Sequence, residues 1–162
     1  MNPYPHHYEV RAAGKTENGV EISAEQLPPL HTAPPAQFGG PGDQWSPETL
    51  LVAAAADCFI LTFRAIARAS NMAWSDLICD ADGKLDRVDG ITRFTALTLH
   101  ARLVLPADAD VERARRLLEK AEKACLITNS LAVPATLTSE VLMAVRHDDA
   151  QPNDRKQGET LT

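Results

Sequence analysis

Two cysteines stand out as side chains that could do chemistry. Cys58 lies inside the apolar run WSPETLLVAAAADCFILTFRAIARAS, and Cys125 begins the phrase CLITNSL. Thiols that are far apart in sequence can meet in a fold, and a pair that meets can cycle between dithiol and disulfide. A free cysteine is more often a small apolar filler of the core, so burial is the competing interpretation of both residues.

A reactive Cys58 needs a cation, a helix N-terminus or a hydrogen-bond donor nearby, because the thiolate is the nucleophile. It lies about three turns into its predicted helix, too deep for that helix's own N-terminus to help. Glu48 is explained structurally as an acid in the first turn, and functionally as a carboxylate that orients a cation. These two residues are about 15 Å apart along a continuous helix, so a shared site needs a loop or a partner subunit.

Other kinds of site find little support in the sequence. Cys79 falls on an alternating stretch and is interpreted as a core filler. The histidines and cysteines have no metal-ligand spacing, so no metal site is expected. The glycines of GGPGDQW are not followed by GK[ST], which argues against a phosphate cradle. No cofactor is predicted.

Length and composition set the broad class of the protein. The chain has 162 residues and is 44% hydrophobic, which predicts one domain over 1–146 and a loosely ordered polar tail over 147–162. A formal charge of −6 argues against nucleic acid and acidic membranes as partners. Three cysteines and an N-terminus without a signal pattern favour the cytoplasm. The longest apolar stretch is shorter than the roughly 20 residues of a membrane span.

The elements that must position the cysteines follow from periodicity and turn residues. The helix that carries Cys58 has a Ser-Pro-Glu start and is apolar on nearly every face, which predicts a helix surrounded by protein. The segment Leu27–Gly42 is predicted to be an ordered loop without regular structure. The predicted elements are strands at His7–Arg11, Gly19–Ser23, Trp74–Leu85, Ile91–Leu105 and Ala135–Val145, helices at Pro47–Ser70 and Asp108–Lys123, and a short helix or turn within Ala124–Leu131.

Two motifs in this order point to a family. The runs FGGPGDQWSPETLLVAAAADCF and EKAEKACLITNSL resemble the cysteine motifs of the OsmC/Ohr family of thiol-dependent hydroperoxide reductases, and the similarity covers most of Tyr8 to Val145. The resemblance implies an α+β, OsmC-like fold. In that fold strands wrap around long central helices, two chains interlock as a homodimer, and the active sites lie at the interface.

The resemblance also implies roles for individual residues. Cys58 would attack the peroxide and become a sulfenic acid, and Cys125 would resolve it to a disulfide. Glu48 would position an activating cation. Family members carry an arginine either just before the loop Phe or in the first hairpin turn, and this chain has Gln37 and Lys15 at those places. Lys15 is therefore the predicted cation.

Other basic residues are weaker candidates for that cation. Arg11 is the fallback from the first hairpin, and Arg64, Arg68 and Arg93 are explained adequately as surface residues of a helix and a strand.

The sequence thus predicts a cytoplasmic, homodimeric hydroperoxide reductase of the peroxiredoxin-like kind, acting in oxidative-stress defence. Its substrate would be a small organic hydroperoxide, held in an apolar pocket that includes Phe38 and Trp45, and a dithiol would reduce it afterwards. Two alternatives stay open on the same fold. One is a non-enzymatic dimeric ligand-binding protein, and the other is a slow thiol redox sensor.

Overall fold

The chain folds into two three-stranded sheets, one long helix and two shorter ones, in a computed structural model that describes residues 3–144. The elements are β1 (Arg11–Gly14), β2 (Val20–Ser23), β3 (Leu30–Thr32), a single 3-10 turn (Ala36–Phe38), α1 (Pro47–Ala69), β4 (Asp76–Val88), β5 (Ile91–Leu105), α2 (Val111–Ala124), α3 (Leu126–Asn129) and β6 (Ala135–Met143). The mixed α+β class predicted from the sequence is confirmed.

The first sheet is antiparallel in the order β1-β2-β3. Its opening hairpin was predicted, although the first strand begins at Arg11 rather than at His7. The prediction that Leu27–Gly42 lacks regular structure was wrong, because β3 lies within it. Its backbone pairs with β2, opposite Glu21 and Ile22, and the Pro28-Pro29 pair stays just outside the strand, where a missing N–H breaks no ladder bond.

Helix α1 begins with a capping box. The Ser46 side chain accepts a hydrogen bond from the Thr49 amide at 3.2 Å, and the Thr49 hydroxyl accepts one from the Ser46 amide at 2.8 Å. Pro47 occupies the first helical position, as the sequence predicted. The predicted end at Ser70 is one residue too far, since the helix ends at Ala69.

Only one stripe of α1 is fully buried within the chain. Its members recur every four residues: Ala55, Phe59, Phe63 and Ala67. The sequence predicted a helix surrounded by protein on nearly every face, but the other elements of a single chain cover only one face of α1. Leu61, for example, keeps 48% of its surface exposed.

The second sheet has the order β4-β5-β6. An Asp89-Gly90 turn joins β4 to β5, and both residues have positive φ (53° and 78°), as a two-residue hairpin turn requires. The β4 strand is shifted from its predicted bounds and runs from Asp76 to Val88. The β6 strand lies parallel to β5, because α2 carries the chain back across the sheet.

The core lies between this sheet and the helices. The inner face of β5 is buried as its alternation predicted, at Leu97, Leu99, Ala101, Leu103 and Leu105. The buried stripe of α1 and the stripe of α2 (Ala114, Leu118 and Ala121) complete it. Val145, the predicted end of the last strand, and the predicted tail at 147–162 lie outside the described residues, so the domain bounds stay a prediction.

Candidate active site

Cys58 and Cys125 lie side by side. Cys58 is on α1, one position before the buried Phe59, and is partly exposed. Cys125 is fully buried at the junction where α2 ends and α3 begins. The two thiols are close enough that each shifts the pKa of the other. The fold therefore brings together the two thiols that the sequence singled out.

The Cys58 sulfur is surrounded by hydrogen-bond donors from its own chain. The backbone amides of Leu126 and Ile127, in the first turn of α3, act as donors that lower the pKa of its thiol. The hydroxyl of Thr62, one turn further along α1, lies 3.9 Å from the sulfur. Because the first amides of a helix have no partner within the helix, the start of α3 is free to donate to this sulfur.

These donors decide the protonation of Cys58. Burial alone would raise the pKa of its thiol, but hydrogen bonds from the Ile127 amide, the Cys125 thiol, Thr62 and the Leu126 amide outweigh burial and lower the pKa below its ordinary value. The direction of this shift increases the thiolate fraction of Cys58, which favours nucleophilic reactivity.

The pKa of Cys125 moves the opposite way. Burial raises the pKa of its thiol above the ordinary value, hydrogen bonds from the Thr128 side chain and amide oppose that rise, and the neighbouring Cys58 adds to it. Thr128 also donates its hydroxyl to the Cys125 carbonyl at 3.2 Å, which fixes the junction between α2 and α3. Cys125 is thus held as a thiol beside a more acidic partner.

The third cysteine is not activated. Cys79 lies on β4, half-buried against the core. Burial, the adjacent Asp80 and the nearby Cys125 raise the pKa of Cys79 to about 11. This agrees with its interpretation as a core filler.

Glu48, Phe38 and Trp45 come together elsewhere, at a cavity of about 730 Å³. The cavity lies between the start of α1, the loop before it and β4. It is lined by Pro35, Gln37, Phe38, Trp45, Ser46, Glu48, Thr49, Val52, Ala53, Ala56, Cys79, Asp80, Ala81, Asp82, Gly83, Leu85 and Phe94. The pocket predicted around Phe38 and Trp45 therefore exists, and Glu48 is part of it.

The carboxylate of Glu48 is incomplete within one chain. Its Oε2 atom is buried and has no hydrogen-bond partner among the described residues. No lysine, arginine or histidine lines the cavity. An unpartnered buried acceptor costs about 1–3 kcal/mol, so the structure leaves this oxygen in need of a donor.

The predicted cation, Lys15, lies neither at the cavity beside Glu48 nor at the thiol pair. It is exposed in the segment between β1 and β2 and lines a separate cavity of about 740 Å³, together with Glu17, Glu21 and His31. It makes no contribution to the pKa of Cys58. Within one chain the structure does not bring Lys15 to Glu48 or to the thiols, so its catalytic role stays a prediction.

The cavity and the thiol pair occupy different sides of α1. Ala56 is the cavity-lining residue nearest to Cys58 along the helix, and it precedes Cys58 by two positions. Two helical positions turn the side chain by about 200°, so the two residues point in nearly opposite directions.

The sequence analysis missed the donors around Cys58. Thr62 could have been found, because a residue four positions on lies on the same helix face. The amides of Leu126 and Ile127 carry no side-chain signal, and only the docking of α3 on α1 reveals them. No group of His, Cys, Asp and Glu side chains that could hold a metal ion occurs between residues 3 and 144.

The family follows from comparison with known proteins. A model of the family described as "OsmC-like protein" matches residues 40–140, which include both Glu48 and the two paired cysteines. The chain belongs to the OsmC-like protein family. A curated relative, the uncharacterized protein YmaD of Bacillus subtilis, is 28% identical over 137 residues, which cover 78% of this chain and 87% of the relative.

Solved structures show the same OsmC-like fold. An OsmC-like protein of unknown function from Vibrio cholerae superposes with a TM-score of 0.77 at 16% identity, over 84% of this chain and 100% of the other. An organic hydroperoxide resistance protein OsmC from Legionella pneumophila gives a TM-score of 0.68 at 23% identity, over 86% and 99%.

Helix α1 is long and apolar enough to cross a membrane, but this is weak evidence, since core helices of soluble proteins have the same composition. Membership of the OsmC-like family supports a soluble protein. The cytoplasmic location stays a prediction.

Proposed function

We propose that this protein is a thiol-dependent reductase of small organic hydroperoxides, with Cys58 as the peroxidatic and Cys125 as the resolving thiol. The observation that carries the proposal is the proximity of the two thiols, of which each shifts the pKa of the other: the pKa of Cys58 is lowered and that of Cys125 is raised. The OsmC-like family and the named hydroperoxide resistance proteins of the same fold support a peroxide-related role.

The chemistry balances with the groups present and one external dithiol. The Cys58 thiolate attacks the terminal oxygen of ROOH, the O–O bond breaks, and the alkoxide takes a proton to leave as ROH. Cys58 is then a sulfenic acid. The Cys125 sulfur attacks the Cys58 sulfur, an S–S bond forms, and hydroxide leaves with the Cys125 proton as water. A dithiol donor returns two electrons and two protons to restore both thiols.

We further propose that the working unit is a homodimer. The strands of the first sheet form no extensive contact with the helices or with the second sheet within one chain. Leu61 on α1 and Leu126 beside Cys58 are 48% and 71% exposed. The cavity and the thiols lie on different sides of α1, and in the proposed dimer a second chain would join a bound peroxide to a thiol. Cytoplasmic oxidative-stress defence is the proposed setting.

Steady-state consumption of cumene hydroperoxide in the presence of a dithiol tests the proposal. The Cys58→Ser variant should lose at least about 100-fold in rate, because a hydroxyl is not ionised at neutral pH. The Cys79→Ser variant serves as the matched substitution, and it should still form the disulfide between the other two cysteines. Consumption of cumene hydroperoxide by Cys58→Ser at the wild-type rate would contradict the proposal.

Two other functions compete on this fold. The separation of Lys15 from Glu48 favours a dimeric ligand-binding protein in which the thiols do not turn over. A slow redox sensor would form the disulfide once per reduction and show no sustained consumption. Thiols that stay free after prolonged exposure to hydroperoxide would point to the first alternative, and a single stoichiometric oxidation to the second.

A further inference from the structure

The Thr62 hydroxyl contacts the Cys58 sulfur instead of the backbone of its own helix. Inside a helix, a threonine hydroxyl commonly donates to the carbonyl three or four positions earlier. Thr62 makes no such bond, and the hydrogen-bond partner of its hydroxyl among residues 3–144 is the Cys58 Sγ atom, at 3.9 Å. The hydroxyl is therefore free to respond to the state of the sulfur.

The protonation of Cys58 decides which of the two atoms donates. A thiol can donate its S–H to the Thr62 oxygen, or it can accept the hydroxyl proton. A thiolate has no proton, so only the hydroxyl can donate to it. Hydrogen bonds to a charged acceptor are stronger than those to a neutral one, so this contact gains strength when Cys58 ionises.

Charged side chains do not mask the effect of this hydroxyl. The titratable group that acts on the Cys58 sulfur is the Cys125 thiol, and the remaining causes of the pKa shift are burial, Thr62 and two backbone amides. Asp57, next to Cys58 on α1, and Lys123, near the end of α2, are exposed. No charged side chain within residues 3–144 contributes to that pKa. The uncharged donors around the sulfur therefore set its acidity, and the Thr62 hydroxyl can be removed without changing a thiol or the backbone.

We propose that Thr62 is a positioning residue for the thiol chemistry, because its hydroxyl turns to donate to the Cys58 sulfur when the proton leaves and so holds the attacking thiolate. A thiolate stabilised in this way is more abundant at neutral pH and is intrinsically less nucleophilic. The inference deepens the proposed function, since Cys58 is its peroxidatic thiol. The hydrogen bond itself does not depend on turnover.

Alkylation of Cys58 by iodoacetamide across a range of pH, read by peptide-resolved mass spectrometry, tests the role of the hydroxyl. Thr62→Val removes the hydroxyl and keeps the shape. The variant should react about two- to threefold more slowly than wild type at neutral pH, because less thiolate forms, and about twofold faster at high pH, where both sulfurs are ionised. The two pH profiles should therefore cross. A merely structural effect would move the rate in one direction at every pH.

Three further variants locate the effect in the hydroxyl. Thr62→Ser keeps the hydroxyl and should reproduce the wild-type profile to within about 1.5-fold. Thr62→Ala lacks the hydroxyl and should show the same crossing as Thr62→Val, so a packing defect specific to valine does not decide the result. Thr92→Val removes the hydroxyl of an exposed threonine on β5 and should leave the profile of Cys58 unchanged.

The outcomes separate this inference from the proposed function. Coincident profiles of Thr62→Val and wild type, a rate that is lowered at every pH, or a Thr62→Ser profile that follows Thr62→Val would each overturn the inference. Consumption of cumene hydroperoxide by the wild-type protein tests the proposed function separately. Crossing profiles without consumption would contradict the peroxidase and support the role of Thr62, whereas consumption with coincident profiles would contradict only the role of Thr62.

Discussion

Two sides of one helix, α1, differ in how complete they are. On the side of Cys58, every donor that acts on the sulfur belongs to the same chain: Thr62, Cys125 and the first amides of α3. On the side of Glu48, the cavity is lined by a carboxylate with one buried oxygen, and residues 3–144 supply that oxygen with no hydrogen-bond partner and the lining with no basic side chain. The Cys58 sulfur has donors within its own chain. The Glu48 carboxylate still needs a donor from a ligand or a second subunit.

The difference between the two sides of α1 indicates that redox chemistry and substrate selection depend on different groups of residues. Redox chemistry between two thiols needs only that they meet and that one is more acidic, and a local arrangement of helix ends supplies both. Selection of a substrate needs shape and charge around a molecule that comes from outside. The thiol pair should therefore tolerate changes at the cavity, while the cavity's binding should depend on residues that do not touch the thiols.

Thiol reactivity gives the largest expected contrast. At neutral pH, Cys58 should be alkylated by iodoacetamide roughly 100-fold faster than Cys79, because its thiol pKa lies below the ordinary value of 9.0 and that of Cys79 is about 11. Below its pKa a thiol is protonated and inert. The midpoint of the Cys58 profile should thus lie below pH 9.0, and the Cys79 rate should still be rising there. Peptide-resolved mass spectrometry reads both rates, and coincident pH profiles would contradict the contrast.

Filling the cavity side should cost stability without touching the thiols. A Cβ at Gly83 would lie 2.6 Å from a Val52 methyl and 2.8 Å from the Phe94 ring, so Gly83→Val forces both to move. We expect a loss of about 1–3 kcal/mol in the free energy of unfolding, measured in urea. The alkylation rate of Cys58 should stay within about twofold of wild type.

The control for this substitution is Ala96→Val, which adds similar volume on the exposed face of β5. It should change stability by less than about 0.5 kcal/mol. A large change in Cys58 reactivity in Gly83→Val would show that the two sides of α1 are coupled.

Removing the thiol donor should weaken the acidity of Cys58. A hydrogen bond to a thiolate stabilises it, so Cys125→Ala should raise the pKa of Cys58 and move the midpoint of its alkylation to higher pH. Cys79→Ala, which removes no donor to Cys58, should leave that midpoint in place. An unchanged or lower midpoint in Cys125→Ala would mean that the α3 amides and Thr62 set the pKa without the Cys125 thiol.

The smallest effect concerns the cap of α1. Ser46→Ala removes the side-chain acceptor for the Thr49 amide and should cost about 1 kcal/mol in the free energy of unfolding. Ser46 lies on the cavity side of α1 and does not contribute to the pKa of Cys58, so that pKa should not change. Ser75→Ala, at an exposed serine, controls for the loss of a hydroxyl. Stability equal to wild type would mean that the capping box contributes nothing.

Local patterns predicted much of the fold. The Ser-Pro-Glu start of α1, the alternation of β5 and the stripe of α2 each follow from short-range periodicity, and each is present. The strand β3 was missed because its pairing with β2 is a long-range backbone contact, and its proline-rich flanks point to a loop. The exposed faces of α1 were missed because an apolar pattern does not show whether the same chain or another chain covers the helix.

The side chains of the candidate site could be predicted from the sequence, whereas the backbone amides that act on Cys58 could not. Cys58, Cys125, Glu48, Phe38 and Trp45 were all named from motifs, and the structure places the cysteines together and the other three around one cavity. The sequence did not reveal that these two groups lie on different sides of α1. It also pointed to Lys15 as the activating cation, whereas the structure surrounds Cys58 with amide, hydroxyl and thiol donors.

The most direct test of the central claim is a stoichiometric oxidation. Reduced protein is mixed with one equivalent of cumene hydroperoxide, quenched with an alkylating reagent and digested, and its disulfides are mapped by mass spectrometry. We predict a rapid bridge between Cys58 and Cys125 that a dithiol reverses, with Cys79 recovered as a free thiol. Recovery of all three cysteines as free thiols after prolonged exposure, or a bridge through Cys79, would contradict the assignment of the redox pair.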